Sequence, residues 1–194
     1  MNIETPESEA QQKQTLKPTD EQKKALITLS HMITEAEISR RQSVAHQNPE
    51  LSQLLTQKPG PESKCGCGTD TYAEGYFTIS ACGCGCNVAV PISATLAAIS
   101  NNSSFNPSTR VNFTGIVHGQ VIQPFNFQDV FLIGVLDVQK IIGIEVHLRL
   151  QIAPNMMTLF IYEGGRLLGS LVATYRHDFA VTFDGSGNGI FNPA

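Results

Sequence analysis

Apolar residues recur along this chain with two different periods, and the change of period divides it. From Thr19 to about Ala45 they come three and four residues apart: Ala25, Leu26, Leu29, Met32, Ile33 and Ala36. That spacing predicts an amphipathic helix with one apolar stripe, which must be buried against something. Thr19 followed by Gln22 has the spacing of a capping box and marks the helix start. Asn48-Pro49 predicts the start of a second short helix carrying Leu51, Leu54 and Leu55. Lys58-Pro-Gly-Pro-Glu-Ser-Lys64 then reads as a stiff linker.

From Val88 onward the period is two. Candidate strands cover Val88–Ile99, Arg110–Val117, Gly119–Ile122, Val130–Val138, Ile142–Ile152, Met157–Tyr162, Leu167–Tyr175 and Phe179–Phe183. The alternation is cleanest in Ile142–Ile152, where Ile144, Val146, Leu148, Leu150 and Ile152 face one way and Glu145, His147, Arg149 and Gln151 the other. Gly164-Gly165 is a good two-residue hairpin turn between two of these strands. Seven or eight strands at short intervals, with no helix among them, predict a mainly β fold, an antiparallel β-sandwich of jelly-roll type behind an N-terminal helical arm. The resulting layout is a disordered tail (1–18), the arm (19–57), the linker (58–64), a cysteine-rich connector or hairpin (65–86), the sandwich (87–184) and a flexible glycine-rich tail (185–194).

All five cysteines fall within the connector, as Cys65-Gly-Cys67-Gly and Cys82-Gly-Cys84-Gly-Cys86. Two readings follow from strand geometry. If residues 69–81 are one extended strand, the steps from Cys67 to Cys82 span roughly 50 Å, and the clusters are left to bond to neighbouring chains. If the chain instead turns at Glu74-Gly75, Cys67 faces Cys82 and Cys65 faces Cys84 on one side of a hairpin. That spacing suits disulfides or a thiolate site for Zn²⁺, Cu⁺ or an iron–sulfur cluster. Glu-Gly is a weaker turn signal than Asn-Gly, and the intervening glycines suit either reading.

Charge narrows the function classes. The 194-residue chain has a formal net charge of −4. From residue 65 on there are eight acids and five bases, with Lys140 the sole lysine. About one residue in ten is charged there, against roughly one in four in ordinary soluble domains. No basic patch or aromatic-basic interleaving exists to hold nucleic acid. A charge-poor surface of Asn, Thr, Ser and Gly suits a homo-oligomer or polymer. No apolar run is long enough for a membrane span, and the N-terminus has neither the basic nor the apolar region of a secretory signal. Synthesis in the cytoplasm is expected, with any place on a cell or spore surface reached after assembly. Cytosolic thiols are normally kept reduced.

Other candidate chemistry is thin. His31, His46, His118, His147 and His177 form no metal-ligand pair, and no serine or cysteine is matched to a histidine as a nucleophile. Asp184, Ser186 and Asn188, with Gly189 in sixth place, resemble the first half of a calcium loop whose twelfth-position Glu is missing. A carbohydrate-binding sandwich is a weaker possibility, because the chain has no Trp to stack on a sugar.

The arm, the cysteine-rich connector at 65–86 and the low-charge strand-rich body together resemble the small cysteine-bearing β-sandwich proteins of bacterial spore surfaces and appendages. The resemblance implies assembly and transfers no site residues. The sequence thus predicts a non-enzymatic structural subunit without cofactor, self-assembling through the arm residues Leu26, Leu29, Met32, Ile33 and Ala36 and through disulfides of Cys65, Cys67, Cys82, Cys84 and Cys86. A thiolate metal-binding protein is the alternative.

Overall fold

The computed structural model describes residues 18–47, 71–99, 109–175 and 181–194. Among the described residues one α-helix, α1 (Asp20–Gln47), precedes eight strands: β1 (Tyr72–Ala81), β2 (Gly85–Ile99), β3 (Arg110–Val121), β4 (Phe125–Val135), β5 (Glu145–Ala153), β6 (Met156–Glu163), β7 (Arg166–Thr174) and β8 (Phe183–Pro193). A short 3-10 helix, Val138–Ile141, joins β4 to β5. All strand pairings are antiparallel, in the order β1-β2-β3-β8-β5-β6-β7-β4, with β4 returning to β1.

The mainly β class is as expected, but the sheet is a closed barrel and not a jelly-roll sandwich. The cause lies in the segment read as a flexible tail. Residues 185–194 belong almost entirely to β8, which inserts between β3 and β5 and pairs with both. Without it the sheet would be open, with β3 and β5 as edges; with it no edge strand remains.

Glycine lets β8 do this, because its inward positions must clear a full interior. A Cβ on Gly185 would stand 2.4 Å from the Phe183 ring, and one on Gly189 2.6 Å from the Phe113 ring. Phe77, Phe113 and Phe191, with Ile79, Ile92, Leu96, Leu132, Leu148 and Leu150, fill the barrel. Alternating large and small inward residues is how small barrels reach close packing.

One irregularity changes which residues of β4 face inward. Phe127 pairs with Ile79 and Val130 with Phe77, so β4 carries one extra residue. Asp129 absorbs it at φ 52, a region that Asp tolerates better than most residues. Phe125 and Phe127 therefore face the core on odd positions, Val130 and Leu132 on even ones. Phe131 and Ile133 are released to the outer surface, where they meet α1.

The helix begins at the expected capping box. Thr19 N–H donates to Gln22 Oε1 at 2.8 Å, and Gln22 N–H to Thr19 Oγ1 at 3.3 Å. The β6–β7 hairpin also forms as expected, with Gly164 and Gly165 at φ 51 and 86, as a type I′ turn requires. By contrast, no turn forms at Glu74-Gly75. Those residues sit inside β1, paired with Ala97 and Leu96 on one side and with Ile133 and Leu132 on the other. The glycine serves close strand contact, since a Cβ on Gly75 would stand 2.3 Å from Thr95 O.

The strand register gives the barrel two ends. The Cys82–Cys86 turn, the turn after Val121, the β5–β6 turn and the start of β8 share one end. Thr71, the Gly164-Gly165 turn and the end of β8 lie at the other. Residues 1–17 of the expected tail, the short helix after Pro49, the linker 58–64, Cys65, Cys67 and the loop 101–108 lie outside the described residues.

Candidate functional site

Two places concentrate polar chemistry: the flank covered by α1 and the end that carries the cysteines. The flank is the barrel's narrowest joint, because β4 and β7 pair only through Ile133, Gly134 and Val135 against Val172, Leu171 and Ser170. The helix crosses this joint and places Ser30 in it. Ser30 Oγ accepts from Val135 N–H at 3.0 Å and donates to Ser170 O at 2.8 Å, so one hydroxyl stands in the ladder between the two strands. Ser170 Oγ lies 3.0 Å from Ser30 Oγ and 2.8 Å from Thr34 Oγ1. Glycines make the approach possible. A Cβ on Gly169 would be 1.9 Å from Val135 O, and one on Gly134 2.1 Å from Ser170 O.

Ion pairs fix both ends of the helix on this flank. Lys23 Nζ donates to Glu74 Oε2 at 2.6 Å and lies over the Phe131 ring. At the far end Glu37 accepts from Arg40 at 2.7 and 2.8 Å, from Arg41 Nε at 3.1 Å and from the Tyr162 hydroxyl at 3.1 Å. The Arg40 guanidinium, helped by Arg41 and Tyr162, lowers the Glu37 carboxyl to about 2 in spite of its burial. Burial, reinforced by the Glu37 charge, pushes the Tyr162 hydroxyl up to about 12. Arg41 also stacks over the Tyr162 ring at 4.1 Å and donates to Gly165 O.

This docking face differs from the expected apolar stripe. Of the arm residues, Leu26 is buried and Leu29 and Ile33 are half-buried, while Met32 is 63% exposed and Ala36 is exposed. The buried line is instead Lys23, Leu26, Ser30 and Glu37. Every buried side-chain nitrogen and oxygen among the described residues has a hydrogen-bond partner, so the polar part of the contact, beside the apolar cluster of Leu26, Phe131 and Ile133, is fully paired.

At the cysteine end the pattern reverses. Cys82, Cys84 and Cys86 are exposed free thiols in and beside the tight connection from β1 to β2. A Cβ on Gly83 would meet nothing within 4 Å, so the turn projects into open space. Ile122 on the neighbouring turn is 70% exposed. An open hollow of about 480 Å³ lies on the same end, lined by Gln120, Ile122, Gln151, Met156, Phe183 and Asp184 among others.

The residues of the expected calcium half-loop, Asp184, Ser186 and Asn188, sit at alternate positions of β8 and face outward. A straight strand separates them by about 7 Å per pair of residues, so they do not wrap round one point. Asp184 is already held by Arg149 at 2.7 and 3.0 Å and by Gln151 at 3.1 Å, and the arginine keeps its carboxyl below the usual range. Asn188 lies 3.3 Å from His147 Nδ1. No group of three or more potential metal ligands converges among the described residues.

The helix-seam residues Ser30, Glu37, Tyr162 and Ser170 were missed from the sequence. A serine or glutamate inside a helical pattern ordinarily marks its solvated side. No helix among the described residues is long and apolar enough to cross a membrane. The closed barrel also removes the structural side of the resemblance to sandwich proteins. In comparisons with protein-family models, curated proteins and solved structures, the chain matches none.

Proposed function

We propose that this chain is a non-enzymatic structural subunit that self-associates and is cross-linked between copies through its cysteines. The observation that carries the reading is the continuity of β1. It runs without a break from Tyr72 at one end of the barrel to Ala81 at the other. The eleven residue steps from Thr71 to Cys82 therefore cover roughly 36 Å. Six steps of chain from Thr71 back to Cys65 reach at most about 22 Å. At least about 14 Å is left between the Cα atoms of the two clusters, about twice what a disulfide tolerates. On that reach we assign bonds from Cys65 and Cys67 to Cys82, Cys84 or Cys86 to different chains rather than to one. The hairpin form of a metal site falls with the missing turn at Glu74-Gly75.

Bonds between the two clusters, so assigned, join different copies. Each removes two electrons and two protons from a pair of thiols, taken up by dioxygen or by a small-molecule disulfide. The outer face of β2, β3 and β8 is also nearly uncharged, with Ser93, Thr95, Asn112, Thr114, Ser186 and Asn188 exposed on it. A surface of that kind can be covered by another subunit without stranding charges.

The test is non-reducing electrophoresis after mild oxidation, run beside a variant with Cys82, Cys84 and Cys86 all changed to Ser. A ladder of covalent oligomers that collapses in the variant is expected. A native protein that stays monomeric after oxidation would overturn the proposal.

A further inference from the structure

Between the last pairing of β1 and the first of β2 the sheet lets go of the chain for three residues. Ala81 is paired with Phe125 and Gly85 with Val121, and the residues between them are Cys82, Gly83 and Cys84. The chain bends at Gly83, and a Cβ there would meet nothing within 4 Å. Both thiols are free and exposed. Two residues apart in a straight strand, Cα atoms stand about 7 Å from each other, at the outer limit for a disulfide, and a bend between them shortens that distance. A bond between Cys82 and Cys84 therefore leaves every strand pairing of the barrel in place.

The third thiol is placed differently. Cys86 lies inside β2, between Gly85 and Val88, which pair with Val121 and Gly119. A bond from Cys84 to Cys86 would have to bend the chain at Gly85 and pull it from Val121. Continuing the register that pairs Ile79 with Ile92 sets Cys82 level with Ala89, three residues or about 10 Å along β2 from Cys86. The turn thus holds one couple and one odd thiol.

We propose that Cys82-Gly83-Cys84 is a thiol-disulfide exchange site: the two thiols close a disulfide within the turn, and that bond is handed on to a thiol of another molecule. In the first step the pair loses two electrons and two protons to a small-molecule disulfide, which leaves as two thiols. In the second, an incoming thiolate bonds to one ring sulfur and the bond between the ring sulfurs breaks. The other sulfur departs as a thiolate and takes up the proton that the attacker gave up. A disulfide in so small a ring is strained, and with both cysteines exposed it is open to attack. For its acceptor during assembly, a cysteine of a second copy, the inference rests on the structural-subunit reading. The ring itself does not.

The test begins with the full chain carrying Cys65→Ser and Cys67→Ser. It is treated at high dilution with oxidised glutathione, its remaining thiols are blocked with iodoacetamide, and the product is mapped by mass spectrometry. A bond between Cys82 and Cys84, with the blocking group on Cys86, is expected. Reduced glutathione should reopen that bond at least about 10-fold faster than it cleaves a linear peptide disulfide. Blocking at all three cysteines, glutathione left on Cys82 or Cys84 without a ring, a bond that includes Cys86, or a ring no more labile than the linear reference would each overturn the inference. The ring-bearing chain, freed of oxidant, is then mixed with reduced chains whose only cysteine is Cys67. A covalent mixed dimer should appear on acid quenching. A labile ring that yields no mixed dimer would leave the exchange site standing for small thiols and overturn the cross-linking reading. Under oxidised glutathione, a Cys84→Ser chain that cross-links as fast as the native one would overturn the exchange site and leave the cross-linking reading standing.

Discussion

At the β4–β7 seam a serine hydroxyl, two glycines and a buried carboxylate are enclosed by α1, and each polar atom has its partner. At the far end of the barrel three thiols stand in solvent beside an exposed isoleucine. The first region is built so that little can change without loss of fit. The second is free of internal constraint, which is the condition for bonding outward. On the proposed function, stability and assembly would use separate sites, and substitutions should affect one without the other.

The sharpest contrast compares two glycines. Gly169→Ala places a Cβ 1.9 Å from Val135 O, so the seam must open, and a loss of about 3 kcal/mol or more is expected by denaturant melting. Gly83→Ala, with nothing within 4 Å, should change stability by less than about 0.5 kcal/mol. Equal effects of the two would erase the distinction.

Next in size is Glu37→Gln, which withdraws the charge that Arg40 and Arg41 share. A cost of about 2 kcal/mol near neutral pH is expected. The pH dependence follows from the lowered carboxyl. Its folded value of about 2 lies below the ordinary 4.5, so its contribution is complete above about pH 4.5 and is lost as pH falls through about 2. Helix docking, followed by a probe on α1, should weaken across that window more steeply in the native chain than in Glu37→Gln, where only the Lys23–Glu74 pair is left to respond to acid. A native profile as flat as the variant's would contradict the cluster described above.

Ser30→Ala is a smaller cut. It strands Val135 N–H and Ser170 O at the seam and should cost about 1–2 kcal/mol. Hydrogen exchange at Val135 should rise while exchange in β3 stays the same. Smallest of all, the triple Cys82, Cys84 and Cys86 to Ser variant should melt within about 0.5 kcal/mol of the native chain under reducing conditions. A large loss there would mean that the thiols belong to the fold.

Much of this was legible from local rules. The helix and its capping box, the strand through Val146, Leu148 and Leu150, and the Gly164-Gly165 hairpin depend on neighbours in sequence. What was not legible depends on distant partners. Gly185, Gly187 and Gly189 read as a loose tail because nothing local says that the Phe183 ring, the Ile116 backbone and the Phe113 ring will occupy the space their side chains would need. Closure of the barrel was lost with that strand. Asp129 gave no warning of the extra residue that turns Phe131 and Ile133 outward to meet the helix. Ser30 and Glu37 looked like solvated positions because their partners, Ser170 and Tyr162, lie more than 120 residues away. The cysteines were conspicuous, but whether the segment between them turned at Glu74-Gly75 depended on the pairing of β1 with β2 and β4, which no local signal gives.

The most direct test of the account mixes chains grown in ordinary and in nitrogen-15 medium, oxidises the mixture gently, and maps disulfide-linked peptides by mass spectrometry without reduction. Links between the Cys65–Cys67 peptide and the Cys82–Cys86 peptide are expected to carry one light and one heavy partner in the proportion that random pairing of separate chains gives. Links that are always light with light or heavy with heavy would show the two clusters bonding within one chain, and would contradict both the reach set by the unbroken β1 and the subunit built on it.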